Sequence, residues 1–142
     1  MAHGTHNSRT IQLKINSDPA NLAPVRTDVE TLARAGGFDE KTVGEIGLVL
    51  NEALANVIRH AYKNREDQPI EISGEWVSDE FIIRIRDWGS GVDPSGRLPK
   101  QKDPNTPGGL GLICMKQLMD EVNYQPQGNG MLLTMKRRRM KG

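Results

Sequence analysis

Glu52 and Asn56 form the first pair of polar side chains whose types and spacing could do chemistry. Residues four apart in an α-helix lie about 40° apart on one face, and this pair borders the apolar stripe of a predicted helix. An amide oxygen is a suitable ligand for Mg²⁺, and a carboxylate one turn away could take a proton from a nucleophile. A solvated helix edge produces the same spacing, so the pair alone leaves both interpretations open.

Asp87-Trp-Gly89-Ser-Gly91 follows a predicted strand over 81–85. Because side chains alternate along that strand, Asp87 is predicted to lie on the same inward face as residues 81, 83 and 85. A carboxylate on the core side needs a donor, and the exocyclic amine of a nucleotide base would supply one. The two glycines allow the backbone to approach a flat ligand closely. An aspartate that begins a glycine turn is the simpler alternative for this stretch alone.

Gly108-Gly109-Leu110-Gly111 leads directly into another predicted helix. Free N–H groups at a helix N-terminus can bind phosphate, although a plain turn has the same composition. No Gly-Lys-Ser/Thr follows and no strand precedes, so neither a Walker A loop nor a dinucleotide-binding turn is indicated.

The stretch before this glycine motif, about 92–107, is rich in proline and basic residues. Long loops are usually functional or disordered, and this one is predicted to be a lid over a phosphate group, with a flexible surface loop as the simpler alternative for this stretch alone.

These three motifs together have the parts of an ATP site. They supply a Mg²⁺ ligand beside a possible base, an acceptor for adenine and a glycine loop for phosphate, in one order along the chain.

Hydrophobic periodicity predicts the elements that carry the motifs. Alternating residues predict strands near 11–15, 70–76, 81–85 and 133–135, with a short strand from Tyr124 that turns into the last one at 128–130. Three- and four-residue spacing predicts helices from Asp18 to near Gly36, from Asp39 to about Asn64 and from Leu110 to Val122. This order predicts an α/β (α+β) two-layer sandwich, with a mixed β-sheet and its helices on one face. Residues 1–9 are predicted to be a disordered start, 10–137 the domain, and 138–142 a basic tail.

Composition excludes several other classes of protein. With 142 residues the chain is one domain, and its single cysteine rules out an intrachain disulfide framework. Nineteen basic and 18 acidic residues give a net charge of +1, which argues against a dedicated nucleic-acid binder. No apolar run is long enough for a membrane span, and no signal-peptide pattern is present. A cytoplasmic protein is expected.

The ordered motifs resemble the N, G1 and G2 boxes of the GHKL ATPase superfamily, whose nucleotide-binding domain is the Bergerat fold. The matching stretches are NEALANVIRHAY (51–62), RDWGSGVDP (86–94) and GGLGLICMKQLMDEV (108–122). More closely, the chain resembles the serine-kinase anti-sigma factors of sporulation and general-stress switches. The resemblance covers roughly residues 10–137.

The resemblance implies a role for each matching residue. Asn56 would bind Mg²⁺, Glu52 would be the general base, and Asp87 would accept a hydrogen bond from the adenine amine. The remaining nucleotide contacts would come from the second and third boxes: Gly89, Gly91, Thr106, Gly108, Gly109, Leu110 and Gly111. Met131-Leu132 departs from the Thr-Thr that family members often have, so a hydroxyl contact to the base is expected to be missing. Alternation predicts that Met131 points inward.

The resemblance further implies an ATP- and Mg²⁺-dependent protein serine kinase. Its substrate would be a STAS-type anti-anti-sigma protein, its alternative partner a sigma factor, and its oligomeric state a homodimer. Two other functions remain open, an ATPase domain related to histidine kinases and a non-catalytic module whose partner affinity is tuned by nucleotide. Against the first, His60 lies on the nucleotide side of the first box, and no other helix carries a candidate phosphoacceptor histidine.

Overall fold

A computed structural model of the chain describes residues 3–6, 9–90 and 115–139. Its strands are β1 (His3–His6), β2 (Thr10–Asn16), β3 (Pro69–Val77), β4 (Glu80–Asp87), β5 (Glu121–Pro126) and β6 (Met131–Arg138). Its helices are α1 (Leu22–Ala35), preceded by a 3₁₀ turn (Pro19–Asn21), and α2 (Glu40–Asn56), followed by a π-helical turn (Val57–Ala61). Residues 115–118 are helical and are called α3. None of the helices in these ranges is long and apolar enough to cross a membrane.

An aspartate caps two of the three predicted helix starts, those at Asp18 and Asp39. The Asp18 side chain accepts a hydrogen bond from the backbone N–H of Ala20 (2.9 Å), and that of Asp39 accepts one from Thr42 (2.8 Å). Each cap satisfies a backbone donor that the first helical turn leaves unpaired. The sequence therefore sets where the 3₁₀ turn before α1 begins and where α2 begins.

The sheet has the strand order β1-β2-β3-β4-β6-β5. Every pair among these described strands is antiparallel, so the predicted mixed sheet is wrong in strand direction. Side-chain alternation reports which face of a strand is buried and is the same for either direction, which is why the sequence could not distinguish them. A strand at His3–His6 also pairs with β2, where the sequence predicted a disordered start.

The predicted two-layer arrangement is confirmed, with the helices on one face of the sheet. Alternate residues of β2, β3, β4 and β6 are buried on that face, where they pack with the apolar sides of α1 and α2. Near one end of this core, Trp76 lies between Phe38 and Phe81, with ring centroids 4.7 and 5.2 Å away. The Trp76 indole N–H donates to the carbonyl of Leu32 (2.9 Å), which ties β3 to α1.

The last predicted helix ends earlier than its sequence pattern indicates. Helical structure stops at residue 118, and β5 begins at Glu121, although the sequence predicted helix through Val122. The backbone N–H of Asp120 donates to the carbonyl of Lys136 (2.8 Å), so pairing with β6 overrides the local preference.

The arginines at the end of the chain pair with acidic side chains of the same domain. Arg137 lies 3.4 Å from Glu45, Arg138 lies 3.6 Å from Glu80, and Arg139 lies 2.8 Å from Asp79. These pairs neutralise the described part of the basic stretch.

Candidate functional site

Glu52 and Asn56 lie on the last two turns of α2, at the border of its buried face. Both are half-buried, whereas Ala53 and Leu54 between them are buried in the core. Four residues of α-helix separate them by about 6 Å along the axis. The carboxylate and the amide thus share one partly solvated edge, as their spacing predicted. Their roles in binding and catalysis stay predictions.

The Asn56 side chain contacts an arginine one turn further along. Its Oδ1 accepts a hydrogen bond from Nη2 of Arg59 (2.8 Å). His60, the next residue, is exposed within the π-helical turn. The sequence predicted a continuous helix to about residue 64, but α2 ends at Asn56 and the chain continues in the wider π geometry, which occurs frequently at functional sites.

Tyr62 fixes the end of this helical segment to the end of β4. Its ring is buried, and its hydroxyl donates to the carbonyl of Pro69 (2.5 Å) and accepts from the backbone N–H of Trp88 (2.8 Å). Burial raises the pKa of the Tyr62 hydroxyl, which keeps it a neutral donor. One side chain therefore connects three backbone segments next to the predicted nucleotide site.

Gly89 lets these segments come together. A Cβ at this position would lie 2.4 Å from the carbonyl oxygen of Ala61 and 2.7 Å from its Cβ. Ala61 is the last residue of the π-helical turn. The end of β4 thus packs directly against the chain that follows Asn56, and the first two motifs lie at the same end of the domain.

Asp87 is the last residue of β4, and only 3% of it is exposed. Its inward orientation, predicted from alternation, is confirmed. Oδ1 accepts a hydrogen bond from the backbone N–H of Gly89 (2.9 Å). Burial raises the pKa of this carboxyl. The backbone N–H of Gly89, the charge of Arg86 and the backbone of Met131 act in the opposite direction and lower it. A buried acceptor with few donors is suited to a ligand that brings its own N–H group.

Two further contacts build the backbone around Asp87. Gly130 has a φ of +85°, and a Cβ there would lie 2.0 Å from the carbonyl oxygen of Asp87, so both conformation and space require glycine. The Arg86 guanidinium donates to the carbonyl of Asn129 (2.8 Å) and lies 4.4 Å from the centroid of the partly exposed Trp88 ring. Met131 pairs with Asp87 across the strands and is buried, as predicted.

The donor set fits Mg²⁺ held together with a nucleotide. No group of three or more histidine, cysteine or acidic side chains that could hold a metal by itself occurs in the described ranges. Mg²⁺ in nucleotide sites typically takes only one or two protein oxygens, and phosphates and water complete its octahedron. A single amide oxygen, Asn56 Oδ1, meets that requirement.

Several predicted site residues lie outside the described part of the chain. These are Gly91 of the second box, the lid at about 92–107, and the third-box residues Thr106, Gly108, Gly109, Leu110 and Gly111. Among the described residues, sequence reasoning missed the roles of Arg59 and Tyr62, and it found Gly130 only as part of the glycine turn 128–130. A tyrosine next to a polar turn is a weak sign of a buried hydroxyl.

The chain matches the family model for a histidine kinase-like ATPase domain over residues 15–137. It is similar to the serine-protein kinase RsbW of Listeria innocua, with 26% identity over 91% of this chain and 87% of that protein. It is also similar to the serine-protein kinase RsbW of Bacillus subtilis, with 28% identity over 84% of this chain and 80% of that protein. These similarities confirm the resemblance that the three motifs indicated.

Solved structures show the same fold at lower identity. A structure of the RsbU and RsbW domains of a Mycobacterium tuberculosis protein matches with a TM-score of 0.66 and 16% identity, over 91% of this chain and 32% of that one. A chain of the SiaB–SiaC complex from Pseudomonas aeruginosa matches with a TM-score of 0.66 and 12% identity, over 92% of this chain and 91% of that one.

Proposed function

The chain belongs to the histidine kinase-like ATPase family, and from this premise we propose that it is an ATP-dependent protein serine kinase of the anti-sigma-factor type. The observation that carries the proposal is the half-buried Glu52–Asn56 pair, on the helix whose continuation packs against the strand that ends at Asp87. A module that only senses nucleotide needs the acceptor and the metal ligand. A kinase also needs a base placed beside the metal ligand, and Glu52 is that residue.

Each side chain has one task in this mechanism. Asp87 accepts a hydrogen bond from the exocyclic amine of adenine and so orients the nucleotide. Asn56 would hold Mg²⁺ through Oδ1, and the ion would supply positive charge that offsets the charge on the phosphates. Glu52 accepts the proton of the acceptor hydroxyl as that oxygen attacks the γ-phosphorus and the ADP oxygen leaves. Phosphoryl transfer depends mainly on positioning and electrostatics, so a domain of this size is sufficient.

The proposed substrate is a serine on a STAS-type anti-anti-sigma protein, and the proposed alternative partner is a sigma factor. The support is similarity to proteins named serine-protein kinase RsbW over most of their length. A homodimer is proposed on the same basis. The further nucleotide contacts are assigned to Gly89, Gly91, Thr106, Gly108, Gly109, Leu110 and Gly111.

The test compares phosphotransfer with nucleotide binding. Purified protein is incubated with radiolabelled Mg-ATP and a co-encoded STAS-type protein, and phosphoserine is measured in a single turnover. Glu52→Gln keeps the size of the side chain but removes the proton acceptor, so the rate should fall roughly 10²–10⁴-fold with ADP affinity nearly unchanged. Glu66→Gln, which alters an exposed carboxylate in the turn before β3, is the matched control and should leave both unchanged.

Three results would count against the proposal. If Glu52→Gln retains more than about a tenth of the rate with intact binding, Glu52 is not the base, because the loss is too small for general-base catalysis. If the wild-type protein binds ADP without transferring phosphate to serine, it is a nucleotide-tuned binding module. If phosphate appears on a histidine, it is related in function to histidine kinases.

A further inference from the structure

Arg59 holds the one side-chain atom that the proposed function assigns to Mg²⁺. It lies three residues after Asn56, a spacing at which helical side chains meet. Its Nη2 donates to Asn56 Oδ1 at 2.8 Å. Because a guanidinium offers donors only, the contact also fixes the amide with its oxygen toward the arginine and its NH₂ group away.

The rest of the Arg59 guanidinium has little to bind. Its Nε is buried and has no hydrogen-bond partner among the described residues. Within the ranges that the structure describes, no carboxylate lies close enough to form an ion pair with it, although eight other ion pairs are present there. Arg59 is therefore a cation without a counter-charge in these ranges, and the Asn56 oxygen is its acceptor.

A metal ion on Asn56 would be a second cation on the same atom. Mg²⁺ binds oxygen at about 2.1 Å, so it and Nη2 would lie no more than about 5 Å apart. An amide oxygen has two lone pairs and can accept both in geometry, but a double and a single positive charge at that distance repel each other, all the more where water is partly excluded. Metal binding and the Arg59 contact therefore oppose each other.

We propose that Arg59 is a positioning residue that holds Asn56 in the nucleotide-free chain and must release it before the amide oxygen binds Mg²⁺. This inference rests on the proposed function, because it uses the metal role of Asn56. The Arg59 contact makes the affinity for nucleotide less dependent on Mg²⁺ than it is in a site where the Asn56 oxygen is free. The chain thus carries its own competitor for the metal ligand.

The first measurement is the Mg²⁺ dependence of ADP binding. Calorimetry gives the ADP dissociation constant without and with Mg²⁺, and the ratio of the two is compared between variants. Arg59→Met keeps the apolar stem and removes the guanidinium, so the ratio should rise roughly tenfold, about the strength of a hydrogen bond that involves a charged group. In an Asn56→Ala background, Arg59→Met should leave the ratio unchanged. Arg34→Met, which removes an exposed arginine paired with Glu40, is the matched control and should leave it at the wild-type value.

The second measurement observes the hydrogen bond without any nucleotide. The side-chain amide signal of Asn56, assigned in an NMR spectrum by its loss in Asn56→Ala, should move in Arg59→Met and stay in place in Arg34→Met. An unmoved signal would overturn the proposal, since the contact would then not exist in solution.

The two hypotheses fail in different ways. If wild-type protein binds ADP in a Mg²⁺-dependent manner and Arg59→Met leaves the ratio unchanged or lowers it, the inference alone is wrong. A weaker affinity of Arg59→Met for ADP without Mg²⁺, with no rise in the ratio, would assign Arg59 to phosphate binding instead. If wild-type protein shows no Mg²⁺-dependent binding, the proposed function fails together with the inference.

Discussion

A methyl group added at Gly89 should push apart the π-helical turn after Asn56 and the end of β4, which form two sides of the candidate site. In Gly89→Ala the new Cβ would lie 2.4 Å from the carbonyl oxygen and 2.6 Å from the carbonyl carbon of Ala61. Both atoms are backbone, so neither can rotate away as the end of a long side chain can. Either the π-helical turn or the end of β4 must move.

The structure sets the size of this effect. Overpacking in a well-packed region costs about 1–3 kcal/mol, and for a domain of this length that lowers the melting temperature by roughly 4–12 °C. The hydrogen bond from the Trp88 N–H to the Tyr62 hydroxyl, 2.8 Å long, lies next to the clash and should lengthen. Asp87 directly precedes Trp88 and Gly89 in the chain. A shift at the end of β4 should therefore lower the affinity for ADP as well.

Gly44→Ala is the matched control. Gly44 lies in the exposed part of α2, and a Cβ there would have no atom of the described residues within 4 Å. Replacing glycine by alanine in a helix interior should stabilise the protein by up to about 1 kcal/mol. Urea unfolding of wild type and both variants gives the midpoints, which are comparable if the slopes agree. A Gly89→Ala protein as stable as wild type, beside a stabilised Gly44→Ala protein, would refute the close approach of β4 and the π-helical turn.

Two further predictions concern charged side chains. Asp87→Asn should raise the melting temperature of the nucleotide-free protein at pH 7 and weaken ADP binding, because burial raises the pKa of Asp87 and its ionised form is held at a cost. That cost is present above the raised pKa and disappears as the pH falls through it. Melting curves should therefore show that the gain in melting temperature shrinks from pH 7 toward about pH 4. An equal gain at pH 7 and at about pH 4 would contradict this prediction. Arg137→Ala should lower the free energy of unfolding by about 1–3 kcal/mol, since the half-buried guanidinium donates to the Leu118 carbonyl of α3 and pairs with α2. Arg138→Ala, at an exposed pair 3.6 Å long, should change it by less than about 1 kcal/mol, and equal losses in the two variants would show that burial does not distinguish them.

The sequence predicted best what alternation and capping encode. Strands β2, β3, β4 and β6 alternate strongly enough to locate them, and the same alternation placed Asp87 and Met131 on the buried face. The strand at His3–His6 has no apolar alternation, and it exists through pairing with β2. Strand direction and the start of β5 depend likewise on pairing between distant residues, which no local pattern contains.

The candidate site divides in the same way between local and distant information. Glu52 and Asn56 are related by helical geometry, so their shared edge follows from spacing alone. The contact of Gly89 with Ala61 joins residues 28 positions apart, and the hydrogen bond between Trp88 and Tyr62 joins residues 26 positions apart. Spacing along the chain says nothing about such contacts.

The distance between the predicted base and the predicted adenine acceptor is therefore set by residues that have neither role. Glu52 moves with α2 and Asp87 with β4, and the described contacts that join those two elements at this end run through Tyr62 and Gly89. The Tyr62 hydroxyl holds the start of β3 as well, so a shift of the helix end relative to the sheet must break a buried hydrogen bond. Phosphoryl transfer requires the acceptor hydroxyl and the nucleotide to be aligned within a fraction of an ångström. For the kinase proposed above, we expect that alignment to depend on a buried tyrosine and a glycine as much as on the carboxylates themselves.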